Sequence, residues 1–322
     1  MRDFIFFLLK IVVSVLFISL TIEFVSDRGL ANLKNSVYND WKNILEGNIN
    51  SEVIIMGSSR GFVSYDSQII SKGLRLKTYN LSFNAAGFKL QQEKLDIYLK
   101  KNKNPKIIIQ NIDLAHFNDN NEIPDENQFL PFIFNSDINR VISKYDKKFK
   151  MINYIPLIKY NLNFSLLKFG FISNFYQQNI ENQSTYNGFC PQNLPFKIDY
   201  HNLKKLDYIS KNKINLSLYK YKIQNIFKFY KERVNTKTQI IFVWAPEHKL
   251  RLEDKYIKLI SPIIEELNSI EKQNKNIHFI NMSKFERLND NEYFYDTFHL
   301  NKKGAKIFTT TLTDEITKIV NK

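Results

Sequence analysis

With 322 residues the chain has length enough for one large domain or two small ones, and for a sizeable core. Its hydrophobic share of 43% and charged share of 24% are those of an ordinary folded protein and exclude a disordered polyelectrolyte. The formal charge of +14 invites a nucleic-acid partner, but the lysines are scattered and no aromatic-interleaved RNA motif or zinc spacing accompanies them. A solvated basic surface suited to an anionic membrane or an acidic polymer fits better, and no nucleic-acid partner is expected. Cys190 is the single cysteine, which excludes an intrachain disulfide. Without a CxxC or HExxH pattern a structural zinc site is not expected, nor is any cofactor. The 27 Phe and 17 Tyr exceed what a core of this size uses, which suggests aromatic surface for lipid, sugar or a protein partner. Asn, Lys and Ile are abundant too, so a general compositional bias accounts for part of that excess.

Residues 4–22 are apolar apart from Lys10, Ser14, Ser19 and Thr21, a length that crosses a bilayer with little tilt. Lys10 is a cost that snorkelling of its ammonium to the headgroups relieves. No small-residue cleavage site follows cleanly, so an uncleaved signal anchor over residues 1–27 is expected rather than a removed signal peptide or a buried core helix. Arg2 on one side and Arg28 and Lys34 on the other fix orientation poorly. A single N-terminal anchor before a long domain places the bulk of the chain outside the cytoplasm, held at the cytoplasmic membrane.

Residues 28–50 read as a polar helical stalk, with Leu30, Leu33, Val37, Trp41 and Leu45 at helical spacing. Five short apolar runs then predict buried parallel strands: Val53–Met56, 78–81, 106–112, Gln239–Trp244 and 278–281. Helical patterns at 90–101, 255–271 and 303–320 alternate with them. The expected fold is an α/β three-layer sandwich, flavodoxin-like, with a five-stranded parallel sheet over residues 51–322. Residues 114–237 break the rhythm. They are rich in Phe, Tyr, Asn and Lys, contain a helix over Leu216–Arg233, and read as a large insertion that caps or flanks the sheet without being an independent domain.

In an open parallel sheet, ligands sit beyond the C-terminal ends of the strands. Gly57-Ser58-Ser59-Arg60 ends the first strand, and Asp296-Thr297-Phe298-His299 follows the fifth. A serine hydroxyl becomes a nucleophile when a neighbouring base takes its proton, which is the role available to His299. Asp296, three residues back, can hold the imidazole in the productive tautomer. Taken singly, a Gly-Ser-Ser turn is usually just a turn and Asp-x-x-His is more often a helix cap beside a surface histidine. Their joint occurrence at opposite ends of an α/β pattern points to acyl transfer. His116, His201 and His278 lack a carboxylate at useful spacing. Glu247-His248 follows the fourth strand and could line a cleft, Arg60 could bind an anionic substrate group or pair with a local carboxylate, and Asp113 could join the site or cap the next segment.

These segments resemble the SGNH (GDSL-like) hydrolase family over roughly residues 51–113 and 238–322. Ser58 replaces the family's usual Asp and Ser59 occupies the nucleophile position. The Asp296-Thr297-Phe298-His299-Leu300 segment matches the last block, with the trailing glycine at Gly304. Residues 80–87 (Asn-Leu-Ser-Phe-Asn-Ala-Ala-Gly) resemble the turn that supplies an oxyanion-hole glycine, with Ala85 in register and Gly87 two residues late. Asn111 stands near the family's oxyanion Asn. The resemblance implies a catalytic Ser59, His299 and Asp296, with oxyanion donors from Ser59, Ala85, Gly87 and Asn111. With the N-terminal anchor, it implies members that act on acyl, expectedly acetyl, esters of cell-envelope polysaccharide as esterase or O-acyltransferase beside a membrane-bound O-acyltransferase partner. A catalytically inactive scaffold of the same fold in an envelope-polymer assembly is the alternative.

Overall fold

The computed structural model describes residues 1–114, 123–152, 155–161, 163–176, 184–211, 216–288 and 290–321, with the side chains of 208–211 and 216 left aside. In chain order, α1 (Arg2–Ala31) and α2 (Val37–Glu46) precede β1 (Val53–Met56). Next come α3 (Ser59–Ser64), α4 (Ser67–Leu74), β2 (Thr78–Asn80), α5 (Phe88–Lys101) and β3 (Ile107–Asn111). Helices α6 (Ser136–Tyr145), α7 (Lys148–Met151), α8 (Phe164–Ser173), α9 (Tyr200–Lys211) and α10 (Leu216–Arg233) follow. The chain continues through β4 (Gln239–Trp244), α11 (Asp254–Gln273), β5 (Ile277–Asn281) and α12 (Lys302–Val320). All five expected strands are present, displaced by a residue or so at their ends.

The chain divides into two compact units. One comprises residues 44–120 and 182–322 and contains the sheet. Its strands are all parallel in the order β2-β1-β3-β4-β5, the flavodoxin-like arrangement. Because successive strand residues point to opposite faces, the sequence of each strand serves both helix layers at once. Val53, Ile55, Ile107, Ile109, Ile241 and Val243 meet Ala305, Phe308, Leu312 and Ile316 of α12 in one cluster that also takes in Ile70 of α4. On the other face Phe242 meets Tyr230 of α10, which also donates to Gln110 of β3. β1 and β3 are buried along their whole length, which is why they read as the apolar runs Val-Ile-Ile-Met and Ile-Ile-Ile, whereas β5 at the sheet edge is only partly covered.

The other unit comprises residues 1–43 and 121–181. Helix α1 continues well past the apolar run to Ala31, and the residues 28–50 expected as a polar helical stalk contribute side chains to a packed interior. Leu30, Leu33 and Trp41 are buried. The Trp41 indole donates to Gln128 at 2.9 Å, and its ring packs on Phe129. Helix α8 lies against the end of α1 through Gly29 and Gly170. A Cβ on Gly29 would stand 1.8 Å from the Gly170 carbonyl oxygen, so the two backbones approach too closely for any side chain. The expected insertion at 114–237 is thus divided. Residues 121–181 join the N-terminal helix in a compact unit of their own kind, and 182–237 belong with the sheet. Helix α1 is long and apolar enough to cross a membrane, and its most apolar window is exposed.

Ile55 is fully buried on β1, between β2 and β3. Ile55→Ala should cost about 2–5 kcal/mol of stability, as a cavity in a packed core does. Leu218→Ala, at a partly exposed position on α10, should stay within about 0.5 kcal/mol. Urea unfolding of the detergent-solubilised chain measures both.

Candidate active site

The order of the strands reverses at β1, whose chain neighbour β2 lies on one side and β3 on the other, the place where such sheets open a crevice. Ser58 and Ser59 leave β1 there, and Ser59 begins the short helix α3. The turn is held close to the sheet. Phe83 N–H donates to the Gly57 carbonyl, and Asn80 Nδ2 donates to the carbonyls of Gly61 and Tyr65. Gly61 admits the strand β2 exit, since a Cβ there would lie 2.5 Å from Ser82 Oγ.

The second segment is a tight loop before α12. Tyr295 N–H donates to the His299 carbonyl, Asn301 N–H donates to the Tyr293 carbonyl, and the Asn301 side chain caps α12 by accepting from Gly304 N–H at 3.0 Å. Within this loop Asp296 Oδ1 accepts from the backbone N–H groups of Phe298 and His299, which fixes the carboxylate. Its Oδ2 lies 2.8 Å from His299 Nδ1, and His299 Nε2 lies 2.8 Å from Ser59 Oγ. The Tyr295 ring stacks on the imidazole at 5.3 Å and 6°. Sequence positions 240 residues apart therefore meet in one relay. With Nδ1–H donated to Asp296, Nε2 is left to accept the serine proton. Burial opposes ionisation of Asp296, but the His299 hydrogen bond and charge, with the two backbone donors, outweigh it and lower its pKa. Ser59 is half-buried and Ser58 buried, so of the two serines it is Ser59 that a substrate can reach.

The remaining expected residues divide. Ala85 is exposed on the turn after β2 and holds a left-handed φ of 50°, and Gly87 caps the start of α5. Both lie just beyond the Ser82-Phe83 segment that abuts Gly57. Asn111 is different. It is fully buried, its amide donates to Asp113 Oδ2 at 3.0 Å, and its oxygen accepts from the Tyr65 hydroxyl at 2.9 Å. The register places Met56 opposite Gln110, so Asn111 sits behind the Gly57 turn rather than in front of the serine. The expectation of an oxyanion donor there is not met. Asp113 does join the site from behind, accepting from Ser58 Oγ at 2.7 Å.

Arg60 is not a substrate ligand. Its side chain is 2% exposed and pairs with Glu247 at 2.6 Å, while Nη2 donates to the carbonyls of Ala245 and Pro246. Glu247 also accepts from Arg251 Nε at 2.8 Å, Tyr256 OH at 2.8 Å and Trp244 Nε1 at 2.9 Å. Burial alone would raise its pKa, but the two guanidinium groups and the neutral donors lower it. The Arg251 guanidinium in turn lies 3.2 Å from the centre of the Phe298 ring. One buried carboxylate thus links Arg60, next to Ser59, to Arg251, which packs against the residue before His299. The expected Glu247-His248 pair does not line a cleft together, and the arginine that completes the cluster, Arg251, was not among the expected residues. The signal was an acid and an arginine four residues apart just past an apolar strand. His248 itself is sandwiched between the rings of Phe196 and Phe294 and bonded to Asn291. His278 bonds to Gln239 on the neighbouring strand, His201 is exposed on α9, and His116 lies outside the described residues.

No family model matches the chain, and no curated protein matches it. Among solved structures, a family two carbohydrate esterase from Clostridium thermocellum in complex with cellohexaose aligns at 9% identity with a TM-score of 0.39. The alignment covers 84% of this chain, which spans 64% of the esterase's length. An active-site mutant of that enzyme aligns with the same values. A Streptococcus pneumonia protein described as a platelet activating factor aligns over 96% of this chain and 98% of its own, at 12% identity and a TM-score of 0.39.

Glu247→Gln leaves two buried guanidinium groups without a carboxylate and should cost about 3–5 kcal/mol, read as a lowered thermal midpoint. For Asp296 the folded pKa lies below the ordinary 3.8, so its contribution to stability is complete above that value and is lost as pH falls through the lowered one. The stability difference between the native chain and Asp296→Asn should accordingly shrink on acidification below pH 3.8. Urea midpoints across that range test the sign.

Proposed function

We propose that this chain is a membrane-anchored serine esterase or O-acyltransferase of the SGNH type, acting outside the cytoplasm on acyl, above all acetyl, esters of cell-envelope polysaccharide. The observation that carries the reading is the Asp296–His299–Ser59 relay, with both hydrogen bonds at 2.8 Å. In this mechanism Ser59 Oγ attacks the ester carbonyl carbon as its proton passes to His299 Nε2. Asp296 holds the imidazole and offsets the positive charge that it acquires. The tetrahedral oxyanion is met by backbone N–H groups of Ser59 and of Ala85 or Gly87, donors that gain strength because the charge exists only in the transition state. Collapse expels the alcohol, which takes the proton from Nε2, and leaves an acyl-serine. Water then completes hydrolysis, or a sugar hydroxyl completes transfer, and in either case its proton returns through His299 to Ser59.

Support for the membrane setting comes from α1, and for the acyl chemistry from a half-buried Ser59 beside a preset base. A membrane-bound O-acyltransferase as partner follows from the family resemblance and the anchor. The inward commitment of Asn111 favours weak turnover, since one lost oxyanion donor typically lowers the rate about 100- to 1000-fold. It is also the observation that gives the inactive-scaffold reading its weight.

On a chromogenic acetyl ester, Ser59→Ala should lose all activity above background, while Ser58→Ala should keep a measurable part. Equal rates for the native chain and Ser59→Ala contradict the mechanism. Labelling by a fluorophosphonate at Ser59 separates a slow enzyme from a scaffold.

A further inference from the structure

In the unit formed by residues 1–43 and 121–181, helix α8 packs on the end of α1 with Leu167 and Gly170 buried and Asn174 turned to the Val25 carbonyl. Gly170 meets Ser26 and Gly29, and Asn174 meets Val25, so the two helices run antiparallel. A stripe of α8 about a quarter-turn around from this contact, together with the turn after the helix, stays open. Phe164, Phe171 and Phe175 recur there at intervals of seven and four, which places them on one face. Phe175 is 66% exposed and the adjoining Tyr176 71%. The antiparallel packing sets these two rings level with the part of α1 just after the apolar run 4–22.

A second apolar group flanks the same level. Leu157 N–H donates to Glu23 of α1, and Ile155 and Ile158 beside it are exposed. Lys159, itself buried, pairs with Glu23 at 3.1 Å and Asp27 at 2.6 Å, offsetting part of the negative charge that α1 carries at this height. Large apolar side chains gathered in this way are uncommon on a water-facing surface. Aromatic rings with a polar edge favour the headgroup boundary, where Tyr and Trp collect. Close to the same level, which the Asn174–Val25 contact sets, α1 itself leaves Leu20 and Phe24 uncovered.

We infer that Phe171, Phe175 and Tyr176 at the end of α8, with Ile155 and Ile158, form an interfacial collar that beds into the headgroup–acyl boundary of the bilayer that α1 crosses. The occupant of this surface is lipid. The collar fixes this unit against the membrane at the point where α1 leaves it, through side chains remote in sequence from the anchor. It rests on the reading of α1 as a membrane span.

The test uses the full chain with Cys190→Ser, reconstituted in phosphatidylglycerol–phosphatidylethanolamine vesicles and carrying one nitroxide at a time. Phe175→Cys and Tyr176→Cys report the collar, Phe17→Cys the span, and Lys318→Cys on α12 the aqueous phase. Collisions with oxygen and with a water-soluble nickel chelate are measured by electron paramagnetic resonance. Labels at 175 and 176 should lose nickel collisions and keep oxygen collisions, at a depth shallower than 17. Nickel access at 175 and 176 with position 17 in lipid overturns the collar and leaves the span intact. Exclusion of both probes at 175 and 176 means that protein, such as a second copy, covers them, and overturns it too. Nickel access at 17 removes the span and the collar with it.

Discussion

The buried Arg60–Glu247–Arg251 cluster is the constraint on which the site depends. Two cations and one carboxylate are withdrawn from water, and such a group is tolerable only when its geometry is tightly satisfied. Glu247 is fully buried and takes donors from both arginines, Tyr256 and Trp244. Arg60 is covalently next to Ser59, and Arg251 lies under Phe298, next to His299. A displacement of either segment therefore breaks a charge contact in a medium where that contact is hard to replace. The relay between Ser59 and His299 tolerates little displacement, and this cluster supplies the stiffness behind it.

The parallel sheet supplies the coarse placement. The order β2-β1-β3-β4-β5 puts the exit of β1 at the reversal of winding, and both faces of β1 and β3 are buried. Only the rim is left for polar chemistry. Around it the polar side chains divide by role. Asp113, Asn111, Ser58 and Tyr65 bond to one another behind the turn, while Ser59 and His299 face outward. Asp296 bridges the two settings, fixed by backbone donors on one oxygen and directing the imidazole with the other.

Much of this was legible in the sequence because buried parallel strands leave a plain signature. Residues 240–244 and Val53–Met56 are unbroken apolar runs, and the Asp-x-x-His spacing before an amphipathic helix sets its own local geometry. The side chains whose roles depend on long-range packing were harder to read. Arg60 looked like an anion ligand because nothing nearby in sequence shows that Glu247 lies against it. Asn111 looked like an oxyanion donor because strand register, which turns it behind Gly57, is not written in its own neighbourhood. Residues 28–50 looked like a stalk because polarity there is real on one side only, and Leu30 and Trp41 are covered by chain more than eighty residues away.

The central claim is that Ser59 becomes acylated with His299 as its base. It is met most directly by acid-quenching the full chain with an activated acetyl ester and mapping the adduct by peptide mass spectrometry. The account predicts an acetyl group on Ser59 in the native chain and none in His299→Ala. An unmodified Ser59, or equal acetylation of Ser59 in both chains, would contradict it.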